Sequence, residues 1–104
     1  MTYDLKFKDF DANLIASRHI HGGIGHVFKF DNGYGASVVK HLFSYGGSQN
    51  LWELAVIRFD DAGDWRLTYD TEITSDVEGY LTDEMVHDLL ERIKNLDNPK
   101  NEET

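Results

Sequence analysis

The sequence predicts a single α+β domain: an antiparallel β-meander of four to five strands packed against one C-terminal α-helix. Three features carry that expectation. Short runs of β-branched and aromatic residues recur between Gly- and Asp-rich turns over residues 14–69. An Asn-Gly pair separates two of these runs, and a helical apolar stripe occupies 81–96. The 104 residues leave room for one domain, assigned to 1–97, with an acidic tail over 98–104 that is expected to be flexible.

Taken in order, Tyr3, Leu5 and Phe7 alternate with Asp4, Lys6 and Lys8, which predicts a short half-buried strand over 3–8. Residues 14–20 read as a second strand, and Gly22, Gly23 and Gly25 break the chain after it. A hairpin follows, from His26–Phe30 through Asn32-Gly33 into Gly35–Phe43. Asn-Gly favours a two-residue type I′ turn, because both positions need positive φ. That turn sets Phe30 opposite Gly35, Phe28 opposite Ser37 and His26 opposite Val39. Phe28, Phe30, Val39, His41 and Phe43 would then share the core face.

Residues 44–48 read as a loop, and Leu51–Phe59 is apolar on both faces apart from Glu53 and Arg58, as a central strand requires. The acidic turn 60–64 leads into an alternating run, Trp65–Tyr69. Pairing Phe59 with Trp65 brings Ile57 to Leu67 and Ala55 to Tyr69 on one face, and Arg58 to Arg66 on the other. Ser75 and Glu78 have capping-box spacing and predict a single helical turn stopped by Gly79. Thr82 is the expected N-cap of the main helix, with Asp83 and Glu84 in its first turn. Leu81, Met85, Val86, Leu89, Leu90, Ile93 and Leu96 form its apolar stripe, and Asn98-Pro99 ends it.

Cysteine is absent, which excludes disulfides, thiolate metal sites and cysteine nucleophiles. The chain shows no apolar stretch of membrane-spanning length and no leader-like run at Met1–Lys6, so a soluble, cytoplasmic protein with no membrane partner is expected. The net charge of −9 is uneven: residues 1–59 sum to +1 and residues 60–104 to −10. Such a field opposes direct nucleic-acid binding and suits a basic partner.

Several constellations could carry chemistry. Three histidines, His19, His21 and His26, flank the glycine turn, and a hairpin there would gather three imidazoles, enough for a borderline transition metal. The plain alternative is polar residues at strand ends. The same glycines match no phosphate-loop pattern, and the 60–64 turn lacks the ligand spacing of a calcium loop. On the helix, Glu84, Asp88 and Glu91 fall in one row, with Asp76 and Glu78 close in sequence. They are either a solvated face or a surface for a basic protein partner, the latter including mimicry of a nucleic-acid backbone. Arg58 and Arg66, with Tyr34, Tyr45 and Trp52 as aromatic platforms, would suit an anionic ligand such as a nucleotide. Two arginines paired with neighbouring aspartates is the simpler account. No serine sits in a nucleophile elbow, and no cofactor motif is present, so neither an enzyme nor a cofactor is expected. An outward-facing Trp52 or an open edge strand would suit a homodimer.

Several segments resemble small uncharacterised acidic accessory proteins of tailed phages and prophages. They are residues 30–39 (Phe-Asp-Asn-Gly-Tyr-Gly-Ala-Ser-Val-Val), 45–47 (Tyr-Gly-Gly), 51–57 (Leu-Trp-Glu-Leu-Ala-Val-Ile), 69–82 and the closing acidic helix. The likeness spans about residues 25–96 and lies in hairpin and core positions; residues 1–24, with most of the histidine cluster, are outside it. It implies a protein made in an infected bacterial cytoplasm that binds and modulates or inhibits a host protein, defence proteins included. It brings no catalytic motif with it.

Overall fold

The structure is a computed structural model, and it describes residues 5–68 and 77–96. Five strands form an antiparallel meander in chain order: β1 (Leu14–Ile20), β2 (Gly23–Lys29), β3 (Tyr34–Lys40), β4 (Trp52–Phe59) and β5 (Trp65–Leu67). A sixth, β6 (Glu78–Leu81), returns to β4. The outer edge of β4 is therefore shared: its C-terminal half pairs with β5 (Phe59 with Trp65, Ile57 with Leu67) and its N-terminal half with β6 (Trp52 with Leu81). The register expected for β4 and β5 holds, with Arg58 opposite Arg66; Tyr69 lies outside the described residues. The helix α1 (Asp83–Lys94) packs on one face of the sheet, so the fold is α+β.

The helix forms where its sequence signals place it. Thr82 is the N-cap, its Oγ1 accepting from the Met85 N–H at 3.2 Å, and Asp83 and Glu84 occupy the positive end of the dipole. Val86, Leu90 and Ile93 are fully buried, each contributing about 1.5–3 kcal/mol of apolar burial. They meet Phe28, Phe30, Tyr34, Ala36, Val38, Trp52, Leu54 and Val56 from the sheet, and Leu89 and Leu96 pack at the margin. Met85, assigned to the stripe from its spacing, is instead 51% exposed.

Three local expectations are corrected. Residues 5–8 are not a strand: Leu5–Asn13 is a distorted 3-10 segment, with Phe7 and Phe10 at its two kinks. Their spacing of three matches the 3-10 period and drives both rings into the core, each 1% exposed. Such a short alternating run cannot distinguish the two forms. Glu78 does not end a helical turn either; it opens β6, paired opposite Leu54, while Ser75 lies outside the described residues.

The third correction concerns the central hairpin. Its loop has three residues, Asp31, Asn32 and Gly33, closed by Phe30 N–H to Tyr34 O at 2.8 Å. Only Gly33 takes positive φ, +91°; Asn32 does not. Asn32 is held by other bonds. Its Oδ1 accepts from the Tyr34 N–H at 3.0 Å, and its Nδ2 donates to Ile93 O and Leu96 O, both at 2.9 Å. The loop thus closes the C-terminal end of α1. The register shifts by one residue, Phe28 meeting Ala36 and His26 meeting Val38, and a one-residue slip exchanges the faces of β3. Tyr34, Ala36 and Val38 enter the core in place of Val39, His41 and Phe43. Among the described residues, two consecutive positive φ values occur at His21-Gly22 (47° and 78°), between β1 and β2. No helix among the described residues is long and apolar enough to cross a membrane, and the 98–104 tail lies outside them.

Candidate functional site

At one end of the sheet, the N-terminus of α1, the β1–β2 turn and the long β3–β4 loop come together. The loop backbone is densely bonded. Ser44 Oγ accepts from the His41 N–H and donates to His41 O; Gly47 N–H reaches Ser44 O at 3.1 Å, and Leu51 N–H reaches Gly46 O at 2.9 Å. Tyr45 N–H donates to Glu53 Oε1 at 2.8 Å, and Tyr45 O accepts from the Tyr80 N–H at 3.2 Å, joining the loop to β6. Leu42 N–H donates to His21 O, joining it to the β1–β2 turn.

On this fixed backbone, large apolar side chains face solvent: Leu42 is 69% exposed, Phe43 76%, Tyr45 60% and Tyr80 55%. Phe43 is steered by its neighbours, its ring 5.1 Å from that of His21 at an edge-on 80°. The His21 and His41 rings are also 5.1 Å apart. Every non-glycine residue with positive φ among the described residues lies at this end: His21 (47°), Asn50 (64°) and Tyr80 (57°). For a bulky tyrosine this is a costly conformation, held by surrounding contacts. Gly46 leaves room beside it, since a Cβ there would stand 2.8 Å from the Tyr80 Cα, and Gly79 lets the Tyr45 side chain approach β6. Of the residues at this end, the sequence marks His21 as a metal candidate and Tyr45 as a ligand candidate, and it places His41 in the core. The expected strand to Phe43 places that ring in the core as well, and nothing in the sequence pattern marks Leu42 or Tyr80. A signal was present: Leu42 and Phe43 are adjacent, so a strand could bury only one of them.

The acidic row is where the helix period puts it. Glu84, Asp88 and Glu91 are exposed on the side of α1 away from the core, and Glu78 is exposed on β6; Asp76 lies outside the described residues. Among the described residues none of Glu84, Asp88 and Glu91 forms an ion pair, whereas His87 on the same helix binds Asp9 at 2.9 Å. Asp83 is engaged inward, its Oδ1 accepting from Trp52 Nε1 at 2.7 Å. A shallow hollow of about 470 Å³ opens beside this first helical turn, lined by Thr82, Asp83, Glu84 and His87.

The other two constellations are dispersed. Trp52 and Tyr34 are buried (4% and 7% exposed), so neither serves as a surface platform and Trp52 marks no subunit contact. Tyr45 belongs to the loop end, whereas Arg58 and Arg66 lie towards the far end of β4, about 20 Å along the strand. Arg58 does line a cleft of about 530 Å³ with Lys29 and Phe59, but Asp31, Asp60 and Asp61 line it too and weaken its pull on an anion. Of the histidines, His26 is buried with Nδ1 2.7 Å from Ser17 Oγ, His19 is exposed on β1, and His21 sits in the turn against His41. The Nδ1 of His41 accepts from the Phe43 N–H at 3.1 Å, so that ring nitrogen is already engaged by the loop backbone. Among the described residues no three His, Cys, Asp or Glu side chains are gathered to hold a metal ion.

No family model matches the chain, and no curated protein or solved structure resembles it significantly, so the fold and the site stand on the chain's own residues.

Proposed function

We propose that the chain is a small non-enzymatic accessory protein, of the kind tailed phages and prophages encode, that binds and modulates a basic host protein through its acidic surface. The observation that carries this reading is the row Glu84, Asp88 and Glu91: exposed, without ion pairs among the described residues, and presented by a helix whose opposite stripe is locked into the core. Unpaired carboxylates on a rigid element keep their field for a partner and lose little conformational freedom when one arrives. Electrostatic complementarity of this kind chiefly accelerates encounter and rejects wrong partners. Glu78 extends the same sign of charge towards the loop end.

The test is charge reversal at Glu84→Lys and Asp88→Lys together. A host protein captured by the wild-type chain, identified by mass spectrometry, should be lost on the double variant and should bind the wild type more weakly as salt rises. Undiminished capture of the same protein by the variant refutes the acidic surface as the contact.

A further inference from the structure

We infer that the loop end of the sheet docks a short basic peptide segment of the partner, with apolar anchors on Leu42, Phe43, Tyr45 and Tyr80 and lysine or arginine side chains against Glu53 and Glu78. This deepens the proposed partner-binding reading and rests on it.

The apolar groups are exposed, yet they do not sit on a slack loop. The bonds within 41–51, to the β1–β2 turn and to β6 hold the backbone that carries them, and the His21 ring steers Phe43. A surface ordered before contact loses less entropy on binding, which is the main opposing term for a flexible peptide ligand. The left-handed conformations of His21, Asn50 and Tyr80 are retained at this same end, and such strain persists where the surroundings over-determine it.

Three further considerations select the occupant. The four side chains together expose on the order of 500 Å². That is less than the roughly 800 Å² per side of a stable interface between folded proteins, so the footprint fits a peptide segment. The charge at this end is acidic: Glu53 and Glu78 stand here, while Lys40, the nearby cation, is drawn inward with its Nζ 4.3 Å over the Trp52 ring. A second copy of the chain is disfavoured, because a two-fold interface would bring two acidic copies of the same patch together.

Fluorescence anisotropy on the full chain tests the inference with four labelled twelve-residue peptides. Three carry the same Trp and Leu anchors at net charges of +4, 0 and −4, and the fourth is +4 with the anchors replaced by Ser. The anchored +4 peptide should bind at least tenfold tighter than the other three. Leu42→Ser with Phe43→Ser should reduce that affinity at least tenfold while circular dichroism stays native, since both side chains already face water. Equal binding across the four peptides, no binding by any of them, or full binding by the Leu42/Phe43 variant overturns the inference. Glu84→Lys with Asp88→Lys separates it from the broader reading. Peptide binding kept by that helix variant and lost by the loop variant upholds the loop and removes the helix row. The reverse pattern overturns the loop and keeps the row, and loss in both supports the two together.

Discussion

Replacing Asn32 with Ala should destabilise the domain by about 2 kcal/mol, which is a large effect for a half-exposed loop residue. Three good hydrogen bonds are lost: Nδ2 to Ile93 O and to Leu96 O, both 2.9 Å, and Tyr34 N–H to Oδ1, 3.0 Å. A longer contact to Lys94 O, 3.2 Å, shares the same amide protons and adds little. At about 1 kcal/mol net per bond the ceiling is near 3 kcal/mol, and water returning to the freed carbonyls at the helix end lowers it to about 2. For a chain of this size that corresponds to a fall in Tm of about 10 °C. Asn32→Asp sharpens the test. It keeps the acceptor for Tyr34, removes both donors, and brings a carboxylate against the negative end of the α1 dipole. Asp should therefore be no better than Ala despite being nearly isosteric with Asn. Urea unfolding followed by circular dichroism measures both. If Asn32→Ala lies within 0.5 kcal/mol of wild type, or Asn32→Asp unfolds like wild type, the hairpin loop does not hold the helix end and the coupling described above is wrong.

Two further substitutions probe the packing. Leu90→Ala removes a side chain fully buried between α1 and the sheet and should cost about 3–4 kcal/mol in the same assay, whereas Met85→Ala, on the exposed side of the helix, should cost under about 1; similar losses for the two would mean that α1 is rotated from the orientation described. Gly35→Ala should lower stability by more than about 2 kcal/mol, because its Cβ would come to 2.0 Å from Phe28 O and 2.8 Å from the Phe59 ring, and a rigid strand carbonyl cannot retreat; a neutral outcome there would contradict the β2–β3 register.

The sequence by itself determined the elements whose signals are local. Thr82, the acidic first turn and the apolar stripe specify α1 without reference to the sheet. The both-face apolar run of β4 and the turn before Trp65 specify the β4–β5 pairing, because period-two patterning and turn chemistry are read within a few residues. The exposure of Glu84, Asp88 and Glu91 follows from the same helical period. What only the tertiary structure decided depended on a competing partner far along the chain. Asn-Gly favours a two-residue turn in isolation, but the carbonyls at the end of α1, more than sixty residues away, engage the Asn32 side chain. The loop then has three residues, and every side chain of β3 changes face. With that slip, and with β3 ending at Lys40 instead of running on to Phe43, His41 and Phe43 lie outside the core, in the loop that forms the exposed aromatic end. The packing of Phe7 and Phe10 under the helix was likewise undetermined by their local alternation, because burial against α1 and β2, and not strand pairing, sets their conformation.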